Sequence, residues 1–511
     1  MSPGGEQEGF LGNGNWEEIT PEWRPISVQA SDTTKEWAKL VRPAGLWKSA
    51  TSRRIGNGGG GGGPGGRRTA YLDGIRGFAA FLVYCGHHQL WTHEMMSAEE
   101  IFENAFGYKG RFYFALLPGI RVFFSGGHFA VSVFFVLSGY VLAAKPLSLM
   151  VDGDYVKLGE NIASSLFRRW LRLFLPVIAT TFLYMTSWHV LGIRTEPKPC
   201  MTYREELWNW YSEFKNFSHI FRTGSDPWFS YNFHVWSIPV EFKGSMLIYT
   251  SLQAFSRCTR NARLWCEVGL IFYFMYITDG AHFSLFVAGM LLCDLDLLAR
   301  NNNLPRFIAN MEPHKRTLAY IALGISIYLG GVPSQSADIQ VLRSSPGWYL
   351  LSFFKPQAVF DYKWFFLFWA ATLIVAAIPR IPALKSFFET PFNQYLGRIS
   401  FSFYLVHGPI LWTLGDRIYA ATGWLRESHA VNLPGWINRF PLPKVGPLGL
   451  ELAFLLPQLI LLPLTLWLAE IATRLIDEPS VKLAQWAYSK TQPSSSQQSC
   501  TVNQGMGDIL F

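Results

Sequence analysis

The chain has 511 residues, of which 50% are hydrophobic, 16% aromatic and only 16% charged, against roughly 25% charged in an ordinary soluble domain. That balance excludes disorder for most of the chain. The formal charge of +8 does not indicate a nucleic-acid binder either, because the Lys and Arg are scattered between long apolar stretches, as in the loops of a membrane protein.

Residues 1–69 hold no long apolar run. They carry a six-glycine run from Gly58 to Gly63, then Pro64-Gly65-Gly66 and Arg67-Arg68, the composition of a flexible tail. Nothing near Met1 has the apolar core of a cleavable signal peptide, so the first membrane helix is expected to serve as signal anchor. Ten candidate spans follow, at about 72–91, 128–145, 173–193, 235–255, 264–278, 281–298, 317–332, 362–379, 396–414 and 450–470. A span needs about 20 apolar residues, which leaves the fifth and seventh short. Backbone groups in lipid must pair internally, so helices are the expected spanning form. The expected fold is an all-α integral membrane protein with about ten transmembrane helices in one bundle. Three regions follow: a flexible cytosolic Gly-rich tail at 1–69, the transmembrane domain at 70–480, and a mostly disordered C-terminal tail at 481–511, Ser/Gln-rich from about Lys490. The six cysteines are dispersed, with no C-x-x-C pair, and read as inert thiols outside any disulfide framework or zinc site.

Basic residues orient the spans. With the N-terminus in the cytosol, the four internal loops on that side carry 13 Lys/Arg in 69 residues, and the five opposite loops carry 14 in 143. The cytosolic density is about twofold higher, as the positive-inside rule requires. The sequon Asn216-Phe217-Ser218 falls in the loop 194–234, on the lumenal side in this orientation. A multi-pass protein of an endomembrane or the plasma membrane is expected.

Ionisable residues inside spans are costly and default to functional hypotheses. The first span runs from Tyr71-Leu72-Asp73-Gly74-Ile75-Arg76 to His87-His88. At about 100° per residue, Arg76 and His87 lie about 20° apart around the helix and Asp73 and His87 about 40° apart, so one face presents Asp, Arg and His. A rise of about 1.5 Å per residue sets His87 roughly 16 Å beyond Arg76, deep in the lumenal half. Asp73 and Arg76 read either as an interfacial ion pair or cap, or as part of a binding site. His87 reads as a packing histidine or a base. A metal site from His87, His88 and His93 is disfavoured by their diverging helical angles.

In the second span Ser138 and Gly139 let helices approach closely, and no G-x-S-x-G elbow surrounds Ser138. Just before the third, Arg169 and Arg172 share a helix face, suited to clamping phosphates or to anchoring topology. The fourth opens Val235-Trp236-Ser237-Ile238-Pro239-Val240-Glu241. Its glutamate reads as a neutral hydrogen-bonded group or a catalytic partner. The ninth, from Leu396-Gly397-Arg398 to Tyr404-Leu405-Val406-His407, brings a second intramembrane imidazole, reached in the same in-to-out direction as His87.

Taken in order, these segments resemble the acyltransferase-3 family of polytopic membrane O-acyltransferases over roughly residues 70–480. The motifs are Leu72-Asp73-Gly-Ile-Arg76-Gly ending in His87, Phe-Phe-Val-Leu-Ser138-Gly139-Tyr, Arg169-x-x-Arg172, Trp236-Ser-Ile-Pro-Val-Glu241, Leu396-Gly-Arg-Ile-Ser-Phe-Ser-Phe-Tyr404-Leu-Val-His407, and Asp477-Glu478-Pro479. The resemblance implies an acyl-CoA donor, most often acetyl-CoA, a hydroxyl-bearing acceptor (glycan, glycolipid or secondary metabolite), and no tightly bound cofactor or metal. It maps the proposed catalytic histidine to His87, and we expect Glu241 and His407 as orienting or acid/base partners. It associates Arg169 and Arg172 with acyl-CoA, and Asp73 and Arg76 lie at the same cytosolic rim. The doubled histidine leaves His87 or His88 open, and the position count from Asp73 favours His87. The N-terminal tail and the sequon suggest a eukaryotic, fungal-like member.

Imidazole suits thioester-to-alcohol transfer, which needs a base active near neutral pH, and a water-poor cavity limits hydrolysis. The rival class is a polytopic transporter using buried Asp, Arg and His as a proton or solute path. Transporters often show two related halves, and no second copy of Asp73-Gly-Ile-Arg76 with a trailing His occurs.

Overall fold

The computed structural model describes residues 69–193, 195, 199–221 and 228–492. The glycine-rich tail and the Ser/Gln-rich C-terminal end lie outside the described residues. Helices dominate, and the one sheet among the described residues is the tight hairpin Gly107–Tyr108 with Arg111–Phe112.

All ten apolar stretches are helical. They correspond to α1 (Ala70–Thr92), α2 (Gly127–Val151), α3 (Tyr155–Val190), α5 (Ser237–Phe255), α6 (Arg260–Phe272), α7 (Ala281–Arg300), α8 (Lys315–Gly330), α9 (Tyr362–Ala377), α10 (Pro391–Ile410) and α11 (Leu452–Ala472). Two further helices of more than ten residues lie between or after them, α4 (Tyr203–Phe217) and α12 (Glu478–Thr491), along with shorter helical pieces in the loops. Among the described residues, five helical segments are long and apolar enough to cross a membrane: Gly127–Val151, Tyr155–Val190, Ala281–Arg300, Tyr362–Arg380 and Leu452–Thr491.

Several boundaries differ from the sequence expectation, each for a local reason. Helix α3 starts at Tyr155, well before the expected span, because the Asp154 side chain accepts the Lys157 N–H at 3.1 Å and caps it. Its 36 residues extend about 54 Å, more than one hydrocarbon core, so part of the helix stands outside it. Helix α4 carries a Thr202–Glu205 capping box, which fixes its start in the loop after α3. Helix α12 continues to Thr491, past the domain boundary drawn at 480, and packs along α3.

Close helix contacts run along two glycine seams. A Cβ added at Gly139 would meet the Phe286 carbonyl at 2.0 Å, and one at Gly289 would meet the Val136 carbonyl at 2.0 Å, so α2 and α7 touch backbone to backbone. Helices α1 and α10 do the same: a Cβ at Gly77 would lie 2.3 Å from Gly397 N, and one at Gly397 2.3 Å from the Asp73 carbonyl. These two helices are parallel. Arg76 bonds Gly397 and Ser400, and His87 bonds His407, at sequence offsets of 320 to 324.

Helix α10 ends in an irregularity that builds the site. Pro409 has no N–H, so the Leu405 carbonyl one turn back loses its intrahelical donor. The Asn232 side-chain amide fills that vacancy at 3.0 Å. Beyond Pro409 the chain passes through a π turn, Leu411–Gly415, and a last helical piece, Asp416–Thr422. Such turns recur at functional sites.

Candidate active site

Two polar clusters lie at opposite ends of the α1–α10 pair. At the first, Arg76 donates to Asp73 at 2.8 Å, to the Gly397 carbonyl at 3.1 Å and to Ser400 at 3.2 Å. Asp73 and Arg76 thus form an ion pair that also ties α1 to α10. Arg172 lies within electrostatic range of Arg76, Arg169 and Asp477. Its half-buried guanidinium has no hydrogen-bond or ion-pair partner among the described residues.

Arg169 is differently employed. Its Nε donates to Ser245 at 2.8 Å, and Nη2 reaches Ser138 at 3.3 Å and pairs with Glu241. Ser138 donates to the same Glu241 carboxylate. The side chains of Arg169 and Glu241 are 11% and 16% exposed, so this network binds α2, α3 and α5 in a largely dry setting. Glu241 therefore sits with the arginine cluster and shares no hydrogen bond with His87 or His407 among the described residues.

At the other end, His87 Nδ1 lies 2.8 Å from His407 Nε2. His407 Nδ1 lies 2.7 Å from the Tyr404 carbonyl. A carbonyl only accepts, so His407 carries its proton on Nδ1 and presents a lone pair at Nε2. His87 must then donate through Nδ1, which leaves its Nε2 unprotonated. That nitrogen has no protein partner among the described residues, and the ring is half-buried. The pair has the geometry of an imidazole with a free lone pair, oriented by a second imidazole behind it.

His88 points elsewhere. It is fully buried, bonded through Nδ1 to the Tyr419 hydroxyl at 2.6 Å and packed on the Tyr84 ring. It has the environment of a core histidine.

A third imidazole, His234, joins the site and was not singled out from sequence. Its ring stacks on His87 with centroids 3.6 Å apart and planes 3° from parallel, and lies 4.8 Å from His407. It occupies a 3₁₀ turn, Phe233–Trp236, just ahead of α5. The available signal was its place beside the Trp236-to-Glu241 motif, because the helical periodicity used for the other residues does not reach a 3₁₀ turn.

The three imidazoles offer nitrogens within 4.8 Å of one another and are the one candidate metal-ligand group among the described residues. Their geometry is poor for a metal. All three rings are parallel within 8°, whereas ligand lone pairs must converge on a tetrahedral ion. The His87–His407 hydrogen bond also uses two of those nitrogens on each other.

An imidazole oriented by a second one, at the far end of a helix pair from an arginine cluster, is chemistry that can move a group onto a hydroxyl. Comparison with protein families gives the class. Residues 69–472 match the family described as an acyltransferase domain, acyltransferase 3. The chain belongs to the acyltransferase-3 family, a membrane-embedded family, and is an O-acyltransferase. It therefore uses an acyl donor and a hydroxyl acceptor. O-acetyltransferase PaAT-1 of Phomopsis amygdali is 29% identical over 457 residues, covering 83% of this chain and 85% of that protein. Acyltransferase clz18 of Cochliobolus lunatus is 21% identical over 415 residues, covering 71% and 86%. Acyltransferase R4 of a Phoma species is 21% identical over 405 residues, covering 69% and 84%. No solved structure matches the chain.

Proposed function

We propose that this enzyme moves an acetyl group from acetyl-CoA to a hydroxyl of a carbohydrate or small-molecule acceptor, with His87 as the base. The observation that carries the reading is the His87–His407 hydrogen bond and the tautomers it dictates. His87 Nε2 takes the proton of the attacking hydroxyl as its oxygen bonds to the thioester carbon. The tetrahedral intermediate then expels the CoA thiolate by breaking the C–S bond, and His87 returns the proton to the sulfur. The name of the Phomopsis relative supports acetyl as the transferred group.

The arginine cluster receives the donor's phosphates. Arg172, without a hydrogen-bond or ion-pair partner among the described residues, and Arg76 beside it contact them. Arg169, engaged by Glu241, Ser138 and Ser245, holds the helix that presents Arg172. Glu241 acts through Arg169 as a positioning residue. The separation of about 16 Å along α1 from Arg76 to His87 leaves room for the pantetheine arm between the two clusters.

In the membrane, the ten apolar helices form one multi-pass bundle within residues 70–480. The N-terminus faces the cytosol, and the membrane is an endomembrane or the plasma membrane. Two observations support this arrangement: the density of basic residues on one side, and the parallel course of α1 and α10, which requires an odd number of crossings between them, as the seven intervening apolar helices supply. Donor then enters from the cytosolic end and acceptor reaches His87 from the lumenal end.

Mass spectrometry of glycans and small molecules from cells carrying the wild type, a deletion or His87→Ala tests the reading. A species lacking one acetyl group in both altered strains identifies the acceptor. A loss in the deletion alone would move the base from His87 to another residue.

A further inference from the structure

His234 has no role in the chemistry so far, yet the fold invests heavily in its position. The Tyr404 hydroxyl donates to the His234 backbone carbonyl, while the Tyr404 carbonyl orients His407. The Ser237 and Tyr404 hydroxyls lie 2.8 Å apart, and Asn232 closes on the carbonyl that Pro409 vacates. One stretch of α10 thereby fixes both imidazoles that flank His87. Gly408 completes the arrangement: a Cβ there would lie 2.8 Å from His234 Nδ1 and 2.8 Å from the Trp412 ring.

The ring's two nitrogens are not equivalent. Nδ1 is buried with no hydrogen-bond partner, pressed against the α10 backbone at Gly408. A proton there would strand a buried donor, which proteins tolerate less often than an under-used acceptor. The proton therefore belongs on Nε2, which also has no protein partner among the described residues. Stacked at 3.6 Å, the two rings offer complementary nitrogens: a lone pair on His87 Nε2 and an N–H on His234 Nε2.

Acyl transfer needs that combination. As the hydroxyl oxygen bonds to the thioester carbon, the carbonyl π pair moves onto oxygen, and a fixed donor in a dry site stabilises the charge. When the intermediate collapses, the pair returns, the C–S bond breaks and the donor keeps its proton. We propose that His234 is a second catalytic histidine, its Nε2–H binding the thioester oxygen while His87 handles the hydroxyl proton. The assignment rests on the reading of His87 as base.

The test uses the full-length protein in detergent with acetyl-CoA as donor and a simple alcohol as acceptor, following release of the CoA thiol. Three variants separate hydrogen bonding from stacking: His234→Phe keeps an aromatic face, His234→Gln keeps an N–H near the Nε2 position, and His234→Ala keeps neither. Removal of an oxyanion donor costs about 10²–10³-fold in kcat, so the Phe and Ala variants should fall by that factor and Gln should stay within about tenfold of wild type. The ionisable groups acting on the His87 and His234 rings are His407, His88 and His128. None is changed, so the acid limb of the pH profile should stay in place while its plateau drops.

Full activity in His234→Phe would overturn the proposal and leave stacking as the ring's role. Loss of the acid limb in that variant would overturn it too, making His234 the base. Thiol release that survives in His87→Ala would refute the base reading, a result independent of the ranking among the His234 variants. Should His234→Phe fail to fold, Gly408→Ala displaces the ring without removing it. The same loss of kcat is expected there, and wild-type rates would sink the proposal.

Discussion

Replacing His407 with phenylalanine tests the dyad most directly. The ring remains, along with its packing, but the Nε2 that accepts from His87 at 2.8 Å is gone. His87 Nδ1–H then has no acceptor, and nothing keeps the lone pair on Nε2. An unmade hydrogen bond at a largely dry site costs about 1–3 kcal/mol, and each 1.36 kcal/mol is tenfold in rate. The expected loss in kcat is therefore roughly 5- to 150-fold. His407 lies about 15 Å along α10 from Gly397, where Arg76 is bonded, so KM for acetyl-CoA should not move. His407→Gln, which retains an acceptor oxygen, should recover part of the loss. Steady-state thiol release from acetyl-CoA measures all three quantities. If His407→Phe kept kcat within twofold, or raised KM tenfold at unchanged kcat, the tautomer argument would fail.

The two arginines of the Arg169-x-x-Arg172 motif should separate cleanly. Arg169→Ala strands the Glu241 carboxylate and should destabilise the protein by about 3–5 kcal/mol, seen as a lower melting temperature in detergent; the double change Arg169→Met with Glu241→Gln should recover much of it. Arg172→Ala should leave melting unchanged and raise KM for acetyl-CoA, and an unchanged KM would remove it from the donor site. Gly397→Ala drives a methyl to within 2.3 Å of the Asp73 carbonyl; it should part α1 from α10 and lower both stability and kcat, whereas a wild-type enzyme would show the seam to be tolerant. Glu103, outside the spans, accepts from the Gln335 N–H and from Tyr362 at 3.3 Å, and burial raises its carboxyl above the usual range. The folded state thus holds that proton to higher pH than the unfolded chain, and the associated stability is lost as pH rises through the folded value. Glu103→Gln should accordingly gain melting temperature relative to wild type between pH 4 and pH 8, and a constant difference across that range would contradict the sign.

What the sequence disclosed follows from the range of the forces involved. The ten helices, the common face of Asp73, Arg76 and His87, and the direction of His407 come from periodicity within one helix, which local sequence records. The joining of His87 to His407 spans 320 positions and depends on the Gly77–Gly397 seam, whose glycines are visible but whose pairing is not. Glu241 shows the same limit from the other side. Its place near the start of a span suggested a partner for the histidines, but the rotation of α5 turns it toward Arg169, 72 positions away. The buried pair Arg263–Asp294, bonded twice at 2.6 and 2.7 Å, escaped notice because each residue lies near a helix end, where a charge usually meets water. His234 was hidden because it sits on a turn whose position is set by a proline 175 residues later.

The parallel pairing of α1 and α10 explains how the arginine cluster and the proposed His87–His407 dyad, so far apart, can be built accurately. From Arg76 to His87 is 11 residues and from Gly397 to His407 is 10, which at about 1.5 Å per residue are nearly equal lengths of roughly 16 and 15 Å. Helices in backbone contact cannot slide, since ångström-scale slippage would drive the seam atoms together, and two closely packed arrangements differ by whole side chains rather than continuously. Register fixed by Arg76 on Gly397 and Ser400 at one end is thus delivered as ring alignment at the other. A slip of one residue would shift His407 by about 1.5 Å and rotate it by about 100°, enough to break the 2.8 Å bond on which the tautomer of His87 depends. Since rates fall about 10²-fold for a misplacement near 1 Å, the glycine seam is part of the proposed mechanism although no atom of it is expected to touch substrate.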